Sequence, residues 1–270
     1  MRRVHFIAGL PRSGSTLLAA ILRQNPRCHA SVSSPVATLF EVLMQQMSAA
    51  SEFVSQFDDI RRGDILRGVF DGFYRVVDAP LLFDTNRGWT GKTALLSGLF
   101  PGSRIVCCVR DVGWILDSVE RMVNANPMQL SRIFGYKSNS SVYARAELLM
   151  NSDKGLIGRA WSQLREAWFG EFASRLIVVP YDSLVALPSQ TLNALYDALG
   201  EPRFEHDFEH VVYDSPDYDA DLGMPGLHRV RAVVKKEERV PSIPPDLFTR
   251  YSDSNFWARV DLNSRKVTVL

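Results

Sequence analysis

The segment at residues 9–16, GLPRSGST, combines glycines, hydroxyl side chains and one arginine in the spacing of an anion-binding loop. It has the two-glycine frame of a P-loop, in which successive backbone N–H groups and the positive end of the following helix surround an anionic group. Nucleotide triphosphatases carry a lysine after the second glycine, whereas this chain has Ser15 there and Arg12 within the loop. Because an arginine offers a planar fork of donors and does not reach over a triphosphate, the loop predicts a site for a shorter anion.

A second cationic group follows an apolar run in the middle of the chain. Arg110 comes directly after residues 104–109, and Ser118 lies eight residues further on, in a stretch whose apolar residues have helical spacing. At the carboxyl edge of a parallel sheet, both side chains can converge on one phosphate. The alternative is a local ion pair of Arg110 with Asp111 and an ordinary helix position for Ser118.

Both motifs require a sheet that positions them. Runs of apolar residues that are predicted as buried strands lie at residues 4–8, 80–83, 104–109 and 176–179. Helical patterns are found at residues 15–25, at 93–99, after Arg110 and, most clearly, at 156–172. Continuous apolar strands that alternate with helices are typical of a parallel sheet covered on both faces. The sequence therefore predicts an α/β fold, a P-loop-containing three-layer sandwich with a central, mainly parallel sheet and helices on both faces.

Composition limits the class of protein. A chain of 270 residues with 46% apolar residues can bury a full core, so we expect a single domain over residues 1–270. Because 31 basic and 30 acidic side chains leave a formal net charge of +1, no global basic field points to nucleic acid. The three cysteines lack the spacing of a disulfide framework or a metal site, and no apolar run approaches the roughly 20 residues of a membrane span. The prediction is a cytoplasmic protein that binds neither nucleic acid nor membrane.

Two stretches interrupt the alternation of strands and helices. Residues 124–154 are polar and are predicted as an inserted lid or acceptor-binding segment. Residues 205–245, which we call the C-terminal segment, contain a run of acids, then cations between Arg229 and Arg239, then prolines. This segment is predicted either as a solvated surface or as an irregular part that closes on a bound cofactor.

With these motifs the chain resembles sulfotransferases that use 3′-phosphoadenosine 5′-phosphosulfate (PAPS). Residues 11–16, PRSGST, are similar to the family's 5′-phosphosulfate loop, in the arginine-bearing form of tyrosylprotein sulfotransferases and many bacterial sulfotransferases. Arg110 and Ser118 match the pair that holds the 3′-phosphate in that family, and Tyr181 matches a tyrosine that helps to hold the nucleotide. Arg87 lies where tyrosylprotein sulfotransferases place a lysine that contacts the transferring sulfuryl group.

The resemblance implies PAPS as the cofactor, no metal, and one set of cofactor-binding residues. Arg231 belongs to that set because it matches a cationic residue of a loop that closes on the cofactor in the family. The implied cofactor-binding residues are Pro11, Arg12, Ser13, Gly14, Ser15, Thr16, Arg110, Ser118, Tyr181 and Arg231.

An acceptor hydroxyl also requires a general base. Tyrosylprotein sulfotransferases use a glutamate after the loop, but the corresponding stretch reads SSPV and the first acid that follows it is Glu41. His29 lies nearby, and Asp84 lies at the carboxyl end of the second predicted strand, where a side chain faces the crevice. His29 and Asp84 are therefore the predicted bases ahead of Glu41, and Arg12 and Arg87 complete the predicted catalytic set.

The predicted reaction is in-line displacement of the sulfuryl group by an acceptor hydroxyl, with the developing charge stabilised by positioned donors. The acceptor stays open among peptide tyrosine, a phenol, another alcohol and a sugar hydroxyl. The oligomeric state is open as well, and a homodimer is possible. Two alternatives are a P-loop kinase or ATPase with an unusual loop, and a non-catalytic module that binds a nucleotide. The unplaced base is the feature that favours the non-catalytic module.

Overall fold

A parallel sheet lies at the centre of the protein. In a computed structural model that describes residues 2–48, 52–128, 134, 141–214, 216–221 and 226–270, its strands are β1 (Arg3–Gly9), β2 (Cys28–Ala30), β3 (Leu81–Thr85), β4 (Ile105–Val109), β5 (Leu176–Pro180) and β6 (Thr268–Val269). The strand order is β2-β3-β1-β4-β5-β6, and all neighbouring strands are parallel. The four predicted strands are confirmed as β1, β3, β4 and β5. The sequence did not predict β2 and β6, because runs this short carry no recognisable strand pattern.

Both faces of the sheet are apolar. In β1, Phe6 belongs to the core on one face and Ile7 to the core on the other, and in β4 the neighbours Cys107 and Cys108 divide in the same way. Strands that are buried on both faces read as continuous apolar runs, which is the pattern in the sequence. Burial raises the pKa of the Cys108 thiol to about 12, so Cys108 packs as an apolar side chain and is not a nucleophile.

Helices cover both faces, as predicted. Those that contribute to the core on the face of Phe6 are α2 (Val36–Gln46), α3 (Asp59–Phe73), α4 (Thr93–Leu99), α5 (Val112–Ala125), α6 (Val142–Met150), α7 (Leu156–Phe169) and α11 (Pro245–Ser252). Those on the face of Ile7 are α1 (Ser15–Leu22), α8 (Tyr181–Ala186) and α9 (Pro188–Leu199). The long predicted helix ends at Phe169 rather than at residue 172, because Gly170 follows with an extended backbone. None of the helices in the described ranges is both long and apolar enough to span a lipid bilayer.

The stretch that was predicted as a lid is helical in its C-terminal part. Residues 142–150 form α6, whose Ala146 and Leu149 are buried in the core. This part therefore packs against the domain. Residues 129–133 and 135–140, in the middle of the predicted lid, lie outside the described residues.

The C-terminal segment is more regular than its composition predicts. It contains α10 (Pro216–Asp221) and two extended stretches that pair through their backbones. The N–H of Val211 donates to the carbonyl of Ala232, and the N–H of Val234 donates to the carbonyl of Phe208, each at 2.8 Å. The order of these partners shows that the two stretches run antiparallel.

A buried histidine in β1 gives the stability of the protein a pH dependence. The His5 Nδ1 accepts the backbone N–H of Arg104 at 3.0 Å, and burial together with Arg3 and Arg104 lowers the pKa of His5 to about 4. An unfolded histidine titrates near 6.5. Because only the unfolded state takes up this proton between the two values, we expect the free energy of unfolding to fall as the pH drops from about 6.5 to about 4. Urea denaturation at a series of pH values measures it.

The control variant is His5→Asn, because the asparagine oxygen replaces Nδ1 as an acceptor but does not titrate. Its free energy of unfolding is expected to change less steeply with pH over the same interval. His206, whose pKa is also lowered by burial to about 4, keeps its own contribution in both proteins. Identical slopes for the variant and the wild type would show that His5 is not a source of the pH dependence.

Candidate active site

The loop after β1 lies directly against the backbone of β4. Gly9 has a φ of 108°, and a Cβ on it would lie 2.1 Å from the carbonyl oxygen of Cys108, so glycine is required at this position. The Ser13 hydroxyl donates to the same Cys108 carbonyl at 2.8 Å and also contacts the carbonyl of Leu10. The Ser13 side chain is therefore buried against β4 and does not line the cavity described below. The group that Ser13 can offer to a ligand is therefore its backbone N–H.

The loop then turns into α1 through two residues with a left-handed backbone. Arg12 has a φ of 57° and Gly14 a φ of 92°, both in the left-handed region. Gly14 is the N-cap of α1 and carries no side chain to cap the first amides of the helix. A Cβ on Gly14 would lie 2.9 Å from Cδ2 of Tyr181, so this tyrosine packs directly on the loop. Uncapped amides at a helix N-terminus bind anions.

The two predicted anion-binding groups are joined by a hydrogen bond. Arg12 Nε donates to the hydroxyl of Ser118 at 3.1 Å, and its Nη1 donates to the backbone carbonyl of Leu227 in the C-terminal segment. The Arg110 guanidinium lies over the Tyr181 ring, 4.3 Å from its centroid. The loop and Arg110 follow β1 and β4, which are neighbours in the sheet at the point where the strand order reverses.

Two arginines in one place repel each other. Burial lowers the pKa of Arg12, and the nearby Arg110 lowers it further, while Tyr181 and Asp219 oppose the change. Burial also lowers the pKa of Arg110. Both groups stay charged because guanidinium ordinarily loses its proton only above pH 12. The site thus holds two partly desolvated like charges, whose repulsion a bound polyanion would relieve.

These residues line one cavity of about 970 Å³, a volume typical of small-molecule sites. Of the predicted site residues, those that line it are Pro11, Arg12, Gly14, Ser15, Thr16, Arg87, Arg110, Ser118, Tyr181 and Arg231. Among the described lining residues, nine are arginine or lysine and three are aspartate or glutamate, so the cavity is cationic.

A second cavity, of about 820 Å³, adjoins the first. Ser33, Asn86 and Arg87 line both cavities, so the two meet at the carboxyl ends of β2 and β3. His29 lines the second cavity but not the first, which is the cavity that the loop lines. Burial lowers the pKa of His29, and the nearby Arg23 lowers it further, so its imidazole is neutral at neutral pH.

The two predicted carboxylates line neither cavity. Asp84 is fully buried and accepts hydrogen bonds from the Tyr74 hydroxyl and from Trp89 Nε1, each at 2.6 Å. Burial raises the pKa of Asp84, although these hydrogen bonds oppose the change. Glu41 on α2 forms an ion pair with Lys92 at 2.6 Å. Asp84 thus joins β3 to the aromatic core, and the structure does not bring it to the loop.

The C-terminal segment covers the cavity and is attached to α5. Arg231 pairs with Glu237 of the same segment. Further on, the Ser242 N–H and hydroxyl donate to the Asp117 carboxylate at 2.5 and 2.6 Å. Burial by itself would raise the pKa of Asp117, but the hydrogen bonds from Ser242 and Arg121 lower it. Since Asp117 precedes Ser118, the attachment point of the segment lies beside the hydroxyl that Arg12 contacts.

The structure also places a histidine and a carboxylate in the site that the sequence analysis did not identify. His228 lines the first cavity, and its Nδ1 lies 2.5 Å from Oδ1 of Asp219. Its backbone N–H donates to Oδ2 of the same carboxylate at 2.9 Å. Asp219 is fully buried. No motif marks this pair in the sequence, because His228 comes nine residues after Asp219 of α10, a spacing that fits no recognised pattern.

Comparison with known proteins gives a consistent assignment. A sequence model of the sulfotransferase family matches residues 5–206. The chain is 27% identical over 203 residues to protein-tyrosine sulfotransferase 2 of Gallus gallus, which covers 72% of this chain and 50% of that protein. The chain therefore spans about half the length of this curated relative.

Solved structures show the same fold. The sulfotransferase domain from the curacin biosynthetic pathway superposes with a TM-score of 0.60 at 16% identity, covering 94% of this chain and 97% of that one. The sulfotransferase domain of the Synechococcus PCC 7002 olefin synthase gives 0.52 at 17% identity, covering 96% of each chain. The matched range, residues 5–206, spans the loop, Arg110, Ser118 and Tyr181, and the match confirms the predicted resemblance to the family. The chain belongs to the sulfotransferase family.

Proposed function

We propose that this transferase moves the sulfuryl group of PAPS to an acceptor hydroxyl. The observation that carries the proposal is that Arg12, Arg110 and Ser118 line one cationic cavity, in which Arg12 donates a hydrogen bond to Ser118. A ligand with an anionic group at each end of a nucleoside is what two such cationic groups would bind. Membership of the sulfotransferase family supports the same reaction.

The residues present fit PAPS. The uncapped amides at the start of α1 and Arg12 would hold the 5′-phosphosulfate, in a cradle that a side chain at Gly14 would obstruct. Arg110 and Ser118 would hold the 3′-phosphate, and Tyr181 packs beside both groups. When bound, PAPS supplies a sulfuryl group on a phosphate leaving group.

Arg12 and Arg87 would stabilise the charge that develops during transfer. Negative charge grows on the leaving phosphate and on the sulfuryl oxygens, so fixed cations near them lower the barrier. Arg12 is held in place by Ser118 and by the carbonyl of Leu227, which limits its freedom before the reaction. Arg87 lines both cavities, so it would lie between a donor bound in the first cavity and an acceptor that enters through the second.

The second cavity is the proposed entry for the acceptor. It opens at Ser33, Asn86 and Arg87, and its lining includes the aromatic residues Phe73 and Tyr213. An aromatic lining that leads to a cation favours a phenolic acceptor such as tyrosine over a sugar. The similarity to a protein-tyrosine sulfotransferase of Gallus gallus supports this choice. His29 lines this entry.

Binding of adenosine 3′,5′-bisphosphate without a metal tests the donor site. We expect this product analogue to raise the melting temperature in the presence of EDTA, since at a concentration 100 times its Kd a ligand adds about 2.7 kcal/mol of stability. Arg110→Gln should weaken binding by about tenfold or more, equivalent to about 1.4 kcal/mol. Arg265→Gln is the matched control, because Arg265 is exposed, donates to the Phe169 carbonyl and lines neither cavity. Stabilisation by ATP with magnesium, and none by the bisphosphate, would favour a kinase instead.

Replacement of Arg12 tests its part in the transfer. Arg12→Ala should lower the rate of sulfuryl transfer by about 10²–10³, the usual effect of removing one preorganised donor. Arg12→Lys should recover part of that rate, because lysine keeps the charge without the planar fork. The assay follows labelled sulfate from PAPS to a tyrosine peptide, a phenol and an alkanol. A rate for Arg12→Ala above about a tenth of the wild type would contradict the proposed part of the loop.

A further inference from the structure

Thr85, the last residue of β3, carries a buried hydroxyl that forms no hydrogen bond with the described residues. Thr85 is 6% exposed and lines the first cavity, while its Oγ1 atom is enclosed. The backbone groups of Thr85 both have partners: the N–H donates to the Ser31 hydroxyl and the carbonyl accepts the Ser34 N–H, each at 2.9 Å. Because a buried hydroxyl without a partner destabilises a protein, its presence needs a physical reason.

The other buried side-chain atoms that lack a partner in the described part of the chain lie away from the site. They are Nε2 of His5, Oγ of Ser103 and Nδ1 of His206. None of these three residues lines either cavity. Among these four residues, Thr85 is thus the one that lies on a cavity wall, where a ligand can supply the missing partner.

The Thr85 side chain lies on the face of the sheet that carries α1. Alternate residues of a strand point to opposite faces, and Phe83, two residues earlier, belongs to the core on the face of Ile7. In the parallel pairing of β1 and β3, Thr85 is the partner of Ile7, which comes two residues before Gly9. The hydroxyl is therefore near the end of β1, on the side of the sheet where the loop leads into α1.

Thr85 shares the wall of the first cavity with the two cations that are proposed for the transfer. Arg12 belongs to the loop after β1, and Arg87 follows Thr85 by two residues. Arg87 also lines the second cavity, whereas Thr85 does not. Thr85 thus lies on the donor side of the place where the two cavities meet.

We propose that Thr85 is a further catalytic residue of the sulfuryl transfer, whose hydroxyl donates a hydrogen bond to a sulfuryl oxygen of the bound donor. The inference rests on the proposed function. An anionic oxygen accepts such a bond, so the ligand gives the hydroxyl the partner that the described residues do not provide. The hydroxyl keeps its proton throughout, because its part is to stabilise charge and not to move the acceptor proton.

A change of rotamer brings the hydroxyl to the cavity. Since Oγ1 is enclosed while Thr85 lines the cavity, other atoms of the residue face the ligand in this structure. One staggered step about χ1 can place the hydroxyl where the methyl group was. The hydroxyl breaks no hydrogen bond with the described residues when it leaves the enclosed position, so an anionic oxygen in the cavity would favour the new rotamer.

Thr85→Val tests the hydroxyl, because valine keeps the shape of the side chain without its polar group. The rate of transfer of labelled sulfate from PAPS to a phenol, per bisphosphate-binding site, should fall at least about tenfold. Without an acceptor, the Kd for PAPS should rise at least about threefold. The Kd for adenosine 3′,5′-bisphosphate, which lacks the sulfuryl group, should stay within about twofold of the wild type. Thr85→Ser should recover most of the rate and of the affinity for PAPS.

The melting temperature gives a readout that is independent of activity. Free Thr85→Val protein should melt at the same temperature as the wild type or higher, because the variant loses an unpartnered hydroxyl. Thr191→Val should melt at a lower temperature, because the Thr191 hydroxyl, in a residue that is 5% exposed, donates to the Ser183 carbonyl at 3.0 Å. Ser103→Ala is the matched control: it also loses an unpartnered hydroxyl, and neither the rate nor either Kd should change.

Three results would overturn the role of Thr85. The first is a rate for Thr85→Val above about a tenth of the wild type. The second is a Kd for PAPS that is unchanged, or that rises by the same factor as the Kd for the bisphosphate, since the hydroxyl then does not contact the sulfuryl group. The third is a lower melting temperature of free Thr85→Val, which would show that the hydroxyl has a partner within the protein.

Failure of the proposed function gives different results. If the wild type binds neither the bisphosphate nor PAPS, the donor site itself is wrong. If the wild type binds PAPS but transfers sulfate to no acceptor, the proposed reaction fails, and the role of Thr85 in catalysis fails with it. The comparison of the two Kd values then still decides whether the hydroxyl contacts the sulfuryl group.

Discussion

The close approach of the loop after β1 to the backbone of β4 is the constraint on which the site depends. Gly9 permits the approach because any side chain there would overlap the Cys108 carbonyl. Ser13 then holds the loop in place through a hydrogen bond to the same carbonyl. Since β1 and β4 are neighbours, the residues that follow them, Arg12 and Arg110, enter one cavity. A core serine and a glycine thus bring two cations together.

The cavity has two halves of different origin. Arg12, Arg87 and Arg110 follow the ends of buried strands, whose positions are set by the core, whereas the cover comes from the C-terminal segment, which adds five further cations to the lining: Arg229, Arg231, Lys235, Lys236 and Arg239. The helix α5 connects the halves, because Asp117 holds Ser242 of the segment and the next residue, Ser118, accepts a hydrogen bond from Arg12. The Leu227 carbonyl on Arg12 is a further connection. A ligand in the cavity would therefore contact both the sheet and its cover.

Much of the architecture could be predicted from the sequence because it depends on neighbours along the chain. Apolar runs that are buried on both faces identified β1, β3, β4 and β5, and the spacing from Arg110 to Ser118 identified a strand end followed by a helix. The loop was recognisable because its backbone conformation needs glycine at fixed positions. Short strands such as β2 and the exact end of α7 were not predictable, since they depend on pairing and capping.

The sequence by itself determined the sheet, the loop and the residue types that make the cavity cationic. The tertiary structure alone decided where individual side chains point, because their hydrogen-bond partners follow no regular spacing along the chain. Hydrogen bonds from Tyr74 and Trp89 hold the Asp84 carboxylate in the core. The Ser13 hydroxyl donates to the Cys108 carbonyl and so does not line the cavity. Folding of the C-terminal segment likewise joins Asp219 to His228. The separations of these pairs range from five residues for Trp89 and Asp84 to 95 for Ser13 and Cys108, so they leave no periodic pattern in the sequence.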